Sequence, residues 1–90
     1  MELIADSGGS KTRWYLLSDR GLISFSGIGL NPNSVDRSSI LGEILRIQKK
    51  LKSNPIRRVH FYGAGLGKTA RRQMMSAILK RFFPTATVRL

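Results

Sequence analysis

The chain contains no cysteine. That excludes a disulfide framework, a Cys-ligated zinc site and a Cys-bound iron–sulfur cluster within these 90 residues. It has a single histidine, His60, so no pair of imidazoles can grip a metal. No apolar run approaches the roughly 20 residues that span a bilayer. The opening Met1-Glu2-Leu3-Ile4-Ala5-Asp6 lacks the basic stretch of a secretory leader. A cytoplasmic protein with no membrane contact is the expectation. Acid is scarce and one-sided. Glu2, Asp6, Asp19, Asp36 and Glu43 are the five acids, against 16 Lys and Arg, for a formal charge of +11. Beyond Glu43 there is none, while twelve Lys and Arg fall between Ile44 and Leu90. A carboxylate base must therefore come from the first 43 residues or from outside the chain.

The acid-free stretch admits three readings: a surface for a polyanion such as nucleic acid, a surface for an acidic partner absent from the chain, or a solvated face with no partner. His60 lies inside an apolar run and reads more readily as a core or half-exposed residue than as a catalytic one. A serine hydrolase is poorly served, because Ser7-Gly8-Gly9-Ser10 is not a nucleophile elbow and one His with few acids leaves little scope for a triad.

What is present is a regular alternation of short apolar runs and turns. Leu3–Asp6 reads as a buried strand ending in a glycine turn. Thr12–Ser18 is rich in β-formers, Asp19-Arg20-Gly21 is a turn, and Leu22–Ile28 partly alternates. Together these predict an antiparallel meander. Asp36, or Ser34 before it, can cap a helix whose apolar residues Ile40, Leu41, Ile44, Leu45, Ile47 and Leu51 recur near helical spacing through about Lys52. Ser53-Asn54-Pro55 would stop it. Arg58–Tyr62 is a fourth strand ending at Gly63-Ala64-Gly65, and Lys68–Phe82 a second helix ended by Pro84. Met74, Met75, Ile78, Leu79 and Phe82 form its apolar side. Thr87–Leu90 begins a fifth strand. Trp14 and Tyr15 are consecutive in a strand and face opposite sides, one core and one surface.

The expected fold is therefore α/β, in the order β-β-β-α-β-α-β, with a mixed sheet of order 3-2-1-4-5 and two helices. A chain that stops on a strand predicts a truncated chain or one half of a larger fold.

Asp6-Ser7-Gly8-Gly9-Ser10-Lys11-Thr12 joins the first two strands. Two glycines let backbone N–H groups approach phosphate oxygens, Ser10 and Thr12 can donate hydroxyl hydrogen bonds, and Lys11 adds positive charge. Asp6, at a strand end, is placed to hold Mg²⁺ directly or through water. The plainer alternative is a glycine hairpin with a solvated Lys and Asp.

The run Ile4–Thr12 resembles the first phosphate motif of the BadF/BadG/BcrA/BcrD-type ATPases. That family includes N-acetylglucosamine kinases of the acetate-kinase, sugar-kinase, heat-shock-70 and actin superfamily. Gly27-Ile28-Gly29-Leu30-Asn31-Pro32 resembles its sugar-side loop, and Val59-His60-Phe61-Tyr62-Gly63-Ala64-Gly65-Leu66 its strand and glycine turn beside the sugar. The resemblance runs in register over the whole chain. It implies two ribonuclease-H-like halves with ATP and substrate between them, residues 1–90 being the N-terminal half-domain. It implies that Asp6 organises Mg²⁺ and that Gly8, Gly9, Ser10, Lys11 and Thr12 face the ATP phosphates. Asn31 would then bind sugar hydroxyls, and Gly63, Ala64 and Gly65 would line the sugar pocket. The family's catalytic carboxylate would follow the fifth strand, after Leu90, so this chain would carry no catalytic residue and be inactive alone. Its partners would be ATP, a small amino sugar and the C-terminal half of the same protein, with a homodimer left open. Arg13 stands where many relatives carry an acid.

Two other readings come from different classes. One is a small basic nucleic-acid-binding module, disfavoured but not excluded by the charge. The other is an ATP-driven activator of a reductase or dehydratase, though such activators hold an iron–sulfur cluster through cysteines. Tyr62–Thr69 nearly reads as a Walker A loop, but Tyr62 stands where its first glycine is required, and no acid follows.

Overall fold

Alternation along the strands decides which face each one buries. The computed structural model describes residues 1–51 and 55–90. In it Leu3 and Ala5 of β1 (Glu2–Ser7), Trp14 and Leu16 of β2 (Lys11–Ser18), and Val59 and Phe61 of β4 (Arg58–Gly63) point to one side of the sheet. Two helices cover that side. α1 (Arg37–Leu51) lays down Ile40, Ile44, Ile47 and Leu51, and α2 (Thr69–Phe82) lays down Met75, Ile78 and Leu79. The sheet runs β3-β2-β1-β4-β5, with β3 spanning Gly21–Ile28 and β5 Thr87–Arg89. β1 is antiparallel to β2 and parallel to β4, and β4 is parallel to β5. This is the expected α/β order, with a five-stranded mixed sheet and two helices.

Element ends move by a residue or so from the sequence reading. Trp14 is core, and Tyr15 lies on the other face. Met75 and Phe83 are buried, with Met74 and Phe82 packed against the core. The stop expected at Ser53-Asn54-Pro55 begins outside the described residues.

One buried charged group breaks the apolar stripe of α1. Glu43 stands in the inward stripe of α1 with its side chain 3% exposed. Its Oε2 accepts the Trp14 indole N–H at 3.2 Å, and both its oxygens meet Arg46, at 2.8 and 3.0 Å. Arg46 also donates to the Ser26 carbonyl at 3.0 Å. Gly27 makes room for this: a methyl group there would overlap the Glu43 carboxylate.

Asp36 caps α1. Its Oδ1 accepts the Ser39 N–H at 2.7 Å, and this bond to the ionised form holds the Asp36 carboxyl below its ordinary range. A depressed folded pKa means that the cap contributes above the unfolded value, about 3.9, and is lost as pH falls through the lower folded value. Asp36→Ala should therefore lower the thermal midpoint at neutral pH. The gap between variant and parent should close progressively below about pH 4, as followed by circular dichroism.

The other sheet face carries no helix among the described residues. No helix among them is long and apolar enough to cross a membrane.

Candidate functional site

β1, β3 and β4 all end at one edge of the sheet, and β2 begins there. That edge therefore gathers three loops: the Gly8–Ser10 hairpin, the Gly29–Asn33 loop and the Gly63–Lys68 turn. Ligands of open α/β sheets bind outside the carboxyl ends of the strands. The three segments singled out in the sequence are thus neighbours.

Ser7 binds them together. The alternation that sends Leu3 and Ala5 inward sends Ser7 inward too, and it is buried. Its Oγ accepts the Leu30 N–H at 2.8 Å and the Thr12 hydroxyl at 3.0 Å. Its carbonyl accepts the Ala64 N–H at 3.1 Å. One residue therefore ties β2, the loop after β3 and the turn after β4 to the end of β1. The Ser10 carbonyl adds a bond from the Gly29 N–H at 3.2 Å. Gly29 passes so close to the hairpin that a Cβ would lie 2.7 Å from the Gly9 carbonyl oxygen.

The same parity sets the sequence-predicted residues. Asp6 points to the open face and is exposed, between Arg13 and Tyr62 in register. No ion pair joins it to Arg13 or to any other described cation. Gly8, Gly9, Ser10 and Lys11 are exposed at the hairpin, which the Gly8 N–H closes on the Lys11 carbonyl at 2.8 Å. Thr12 differs from its neighbours. It is fully buried and its hydroxyl is committed to Ser7, so its side chain frames the loop instead of facing its mouth.

Asn31 and Gly65, expected to serve one pocket, do meet. Gly65 has a positive φ of 77°, and a Cβ on it would overlap the Asn31 side chain. Asn31 Oδ1 accepts the Asn33 N–H at 2.9 Å, which leaves its NH₂ group to donate elsewhere. A shallow hollow of about 370 Å³ lies beside this turn, lined by Tyr62, Gly63, Gly65, Leu66, Gly67 and Arg72 among others. Ala64 is exposed next to it. Another hollow, of about 600 Å³, sits at the far end of the sheet between Glu2, Asp19 and Arg58, away from all three loops.

Among the described residues, no group of three His, Asp or Glu could hold a metal unaided. Asp6 offers one free carboxylate. That suits Mg²⁺, which keeps most of its waters and shares phosphate oxygens. Ser7, Glu43 and Arg72 were not anticipated as part of this end or its support. Strand parity would have found Ser7, and an acid inside an apolar helical stripe would have found Glu43.

The edge is thus a cluster of backbone-rich loops on an α/β domain, with one acid, Asp6, that no described cation pairs. No protein-family model matches the chain, and no curated protein matches it.

Proposed function

We propose that the chain is the N-terminal half of an ATP-dependent sugar kinase of ribonuclease-H-like fold, acting on an amino sugar of the N-acetylglucosamine type. The observation that carries this reading is a contrast between glycines. Gly29 and Gly65 are required by close approach or by positive φ. Gly8 and Gly9 have no such reason. Neither lies at positive φ, and a Cβ on Gly9 would meet nothing within 4 Å. Glycines that the fold does not need, beside a carboxylate that the fold does not pair, fit a loop shaped for a ligand.

Gly8–Lys11 would present backbone N–H groups and the Lys11 ammonium to ATP phosphates. Asp6 would hold Mg²⁺ through its waters, and the ion, when bound, supplies charge neutralisation on the phosphates. The Asn31 NH₂ would donate to a sugar hydroxyl, with Gly63–Gly65 flooring the pocket. The adenosine pocket and the proton-accepting carboxylate would come from the second half. Such a site works by positioning and electrostatics.

The test is nucleotide affinity by calorimetry, with and without Mg²⁺. Asp6→Asn should abolish the gain in affinity that Mg²⁺ gives, with the thermal midpoint unchanged. Gly9→Ala should weaken ATP binding while leaving stability equal or higher by about 0.4–1 kcal/mol. Parent-like ATP binding by both variants would remove the proposal.

A further inference from the structure

The two edges of the sheet are built differently. β5 is three residues long and carries Arg89. β3 is eight residues long, Gly21-Leu22-Ile23-Ser24-Phe25-Ser26-Gly27-Ile28, with no charged residue and no proline. Every other strand and both helices carry at least one charge. The register of β3 with β2 runs unbroken from Ser18 opposite Gly21 to Lys11 opposite Ile28, so no bulge turns the strand aside. Shortness, charge, proline and bulges are the devices that keep a sheet edge from pairing with another chain. β5 has two of them and β3 has none.

Among the described residues no strand pairs with the outer side of β3. In an antiparallel pair, alternate residues bond the neighbouring strand and the rest point away. The Gly29 N–H goes to the Ser10 carbonyl, which sets Gly27, Phe25 and Ile23 on the β2 side. Leu22, Ser24, Ser26 and Ile28 then turn their N–H and C=O groups outward. Arg46 meets the Ser26 carbonyl from outside, as this alternation requires, and leaves that oxygen a second lone pair. The side chains add apolar surface. Leu22 is 59% exposed, Ile23 60% and Ile28 46%, with exposed Leu17 beside Leu22 in register.

We infer that β3 pairs with β3 of a second copy of this chain, antiparallel, about a two-fold axis that passes through Phe25 perpendicular to the sheet. In that register Leu22 faces Ile28 of the second copy, Ser24 faces Ser26, and Phe25 faces Phe25. Each outward-bonding residue meets another, which gives about eight backbone hydrogen bonds. Leu17, Leu22 and the opposing Ile28 line up as an apolar row, once on each side of the axis. The strand is its own complement. Charge selects the same occupant. Two chains of +11 repel, and β3 is the strand along which they can meet without setting one charged side chain opposite another. A charged peptide would find no counter-charge along it. The contact is smaller than a standard interface, so the dimer should be weak, with a dissociation constant of roughly 10–100 µM. The inference does not rest on the kinase reading.

The experiment is sedimentation equilibrium between about 10 µM and 1 mM, where monomer should pass to dimer and no further. Raising salt from about 50 to 200 mM should tighten the dimer, because it screens like charge. Ser24→Pro deletes an outward N–H without removing a bond to β2, and Leu22→Lys puts a charge into the apolar row. Each should weaken dimerisation about tenfold or more. Leu45→Lys adds the same charge at an apolar side chain exposed on α1, and should change little. Circular dichroism checks that each variant folds. Amide hydrogen exchange reads the register: Leu22, Ser24, Ser26 and Ile28 should gain protection as concentration rises, while Ile23 and Phe25 are protected throughout. A chain still monomeric at about 1 mM would overturn the inference. So would equal dissociation by Leu45→Lys, or exchange at the four outward amides that ignores concentration. A dimer that loosens with salt would overturn it in favour of a bridging polyanion.

Discussion

Ser7→Ala should cost about 2–4 kcal/mol of stability, although it deletes one oxygen atom. Two donors lose their acceptor at once: the Leu30 N–H, now bonded at 2.8 Å, and the Thr12 hydroxyl at 3.0 Å, both in buried residues. A buried donor without a partner costs about 1–3 kcal/mol, and no water can reach it cheaply. A domain of this size has a total stability of about 5–13 kcal/mol, so the loss is a large fraction. The thermal midpoint should fall by roughly 10–20 °C. Ser10→Ala, three residues on in the exposed turn, should stay within about 0.5 kcal/mol. Equal effects at the two serines in thermal denaturation would show that Ser7 is not the tie between the three loops.

The second large effect belongs to Glu43. Glu43→Ala should destabilise by about 2–4 kcal/mol, because the indole N–H of fully buried Trp14 then has nothing to bond. Arg46 is less at risk, since its side chain is 40% exposed and can turn to water. Glu43→Gln should fall between variant and parent, because an amide oxygen can still accept from Trp14. Trp14→Phe removes the donor, so Glu43→Ala placed on top of it should cost clearly less than alone. Urea unfolding of the four proteins closes this cycle. Additive losses would place the energetic role of Glu43 outside its bond to Trp14.

Strand parity explains both what could be read from the chain and what could not. The elements were legible because their signals are local: alternation in β1, β2 and β4, spacing of three and four in α1 and α2, and glycine or proline at the breaks. The sheet order follows from the meander of the first three strands and the two crossover helices. The three loops were legible as candidates, and their meeting follows from the strand directions. The inward turn of Thr12 was hidden because its hydroxyl looks available in a glycine-rich segment. Counting alternate residues from Leu3 through Ser7, and across the register to Thr12, places both on the covered face. In the sequence Glu43 stands out only as the last acid of the chain, because its partners lie 29 residues away in β2 and three residues along α1. Long-range satisfaction of a buried polar group leaves no local mark. The bare sheet face was likewise invisible, because no single strand says which of its sides a helix will cover.

Titrating Mg²⁺ and ATP into isotope-labelled protein, and following every backbone amide by NMR, asks most directly whether the hairpin after β1 grips phosphates. The largest shifts should fall on Gly8, Gly9, Ser10 and Lys11, spread to Asn31 and Gly63–Gly65, and vanish in Asp6→Asn. Shifts confined to the basic surface of α2 around Lys80 and Arg81, and the same in Asp6→Asn, would contradict it.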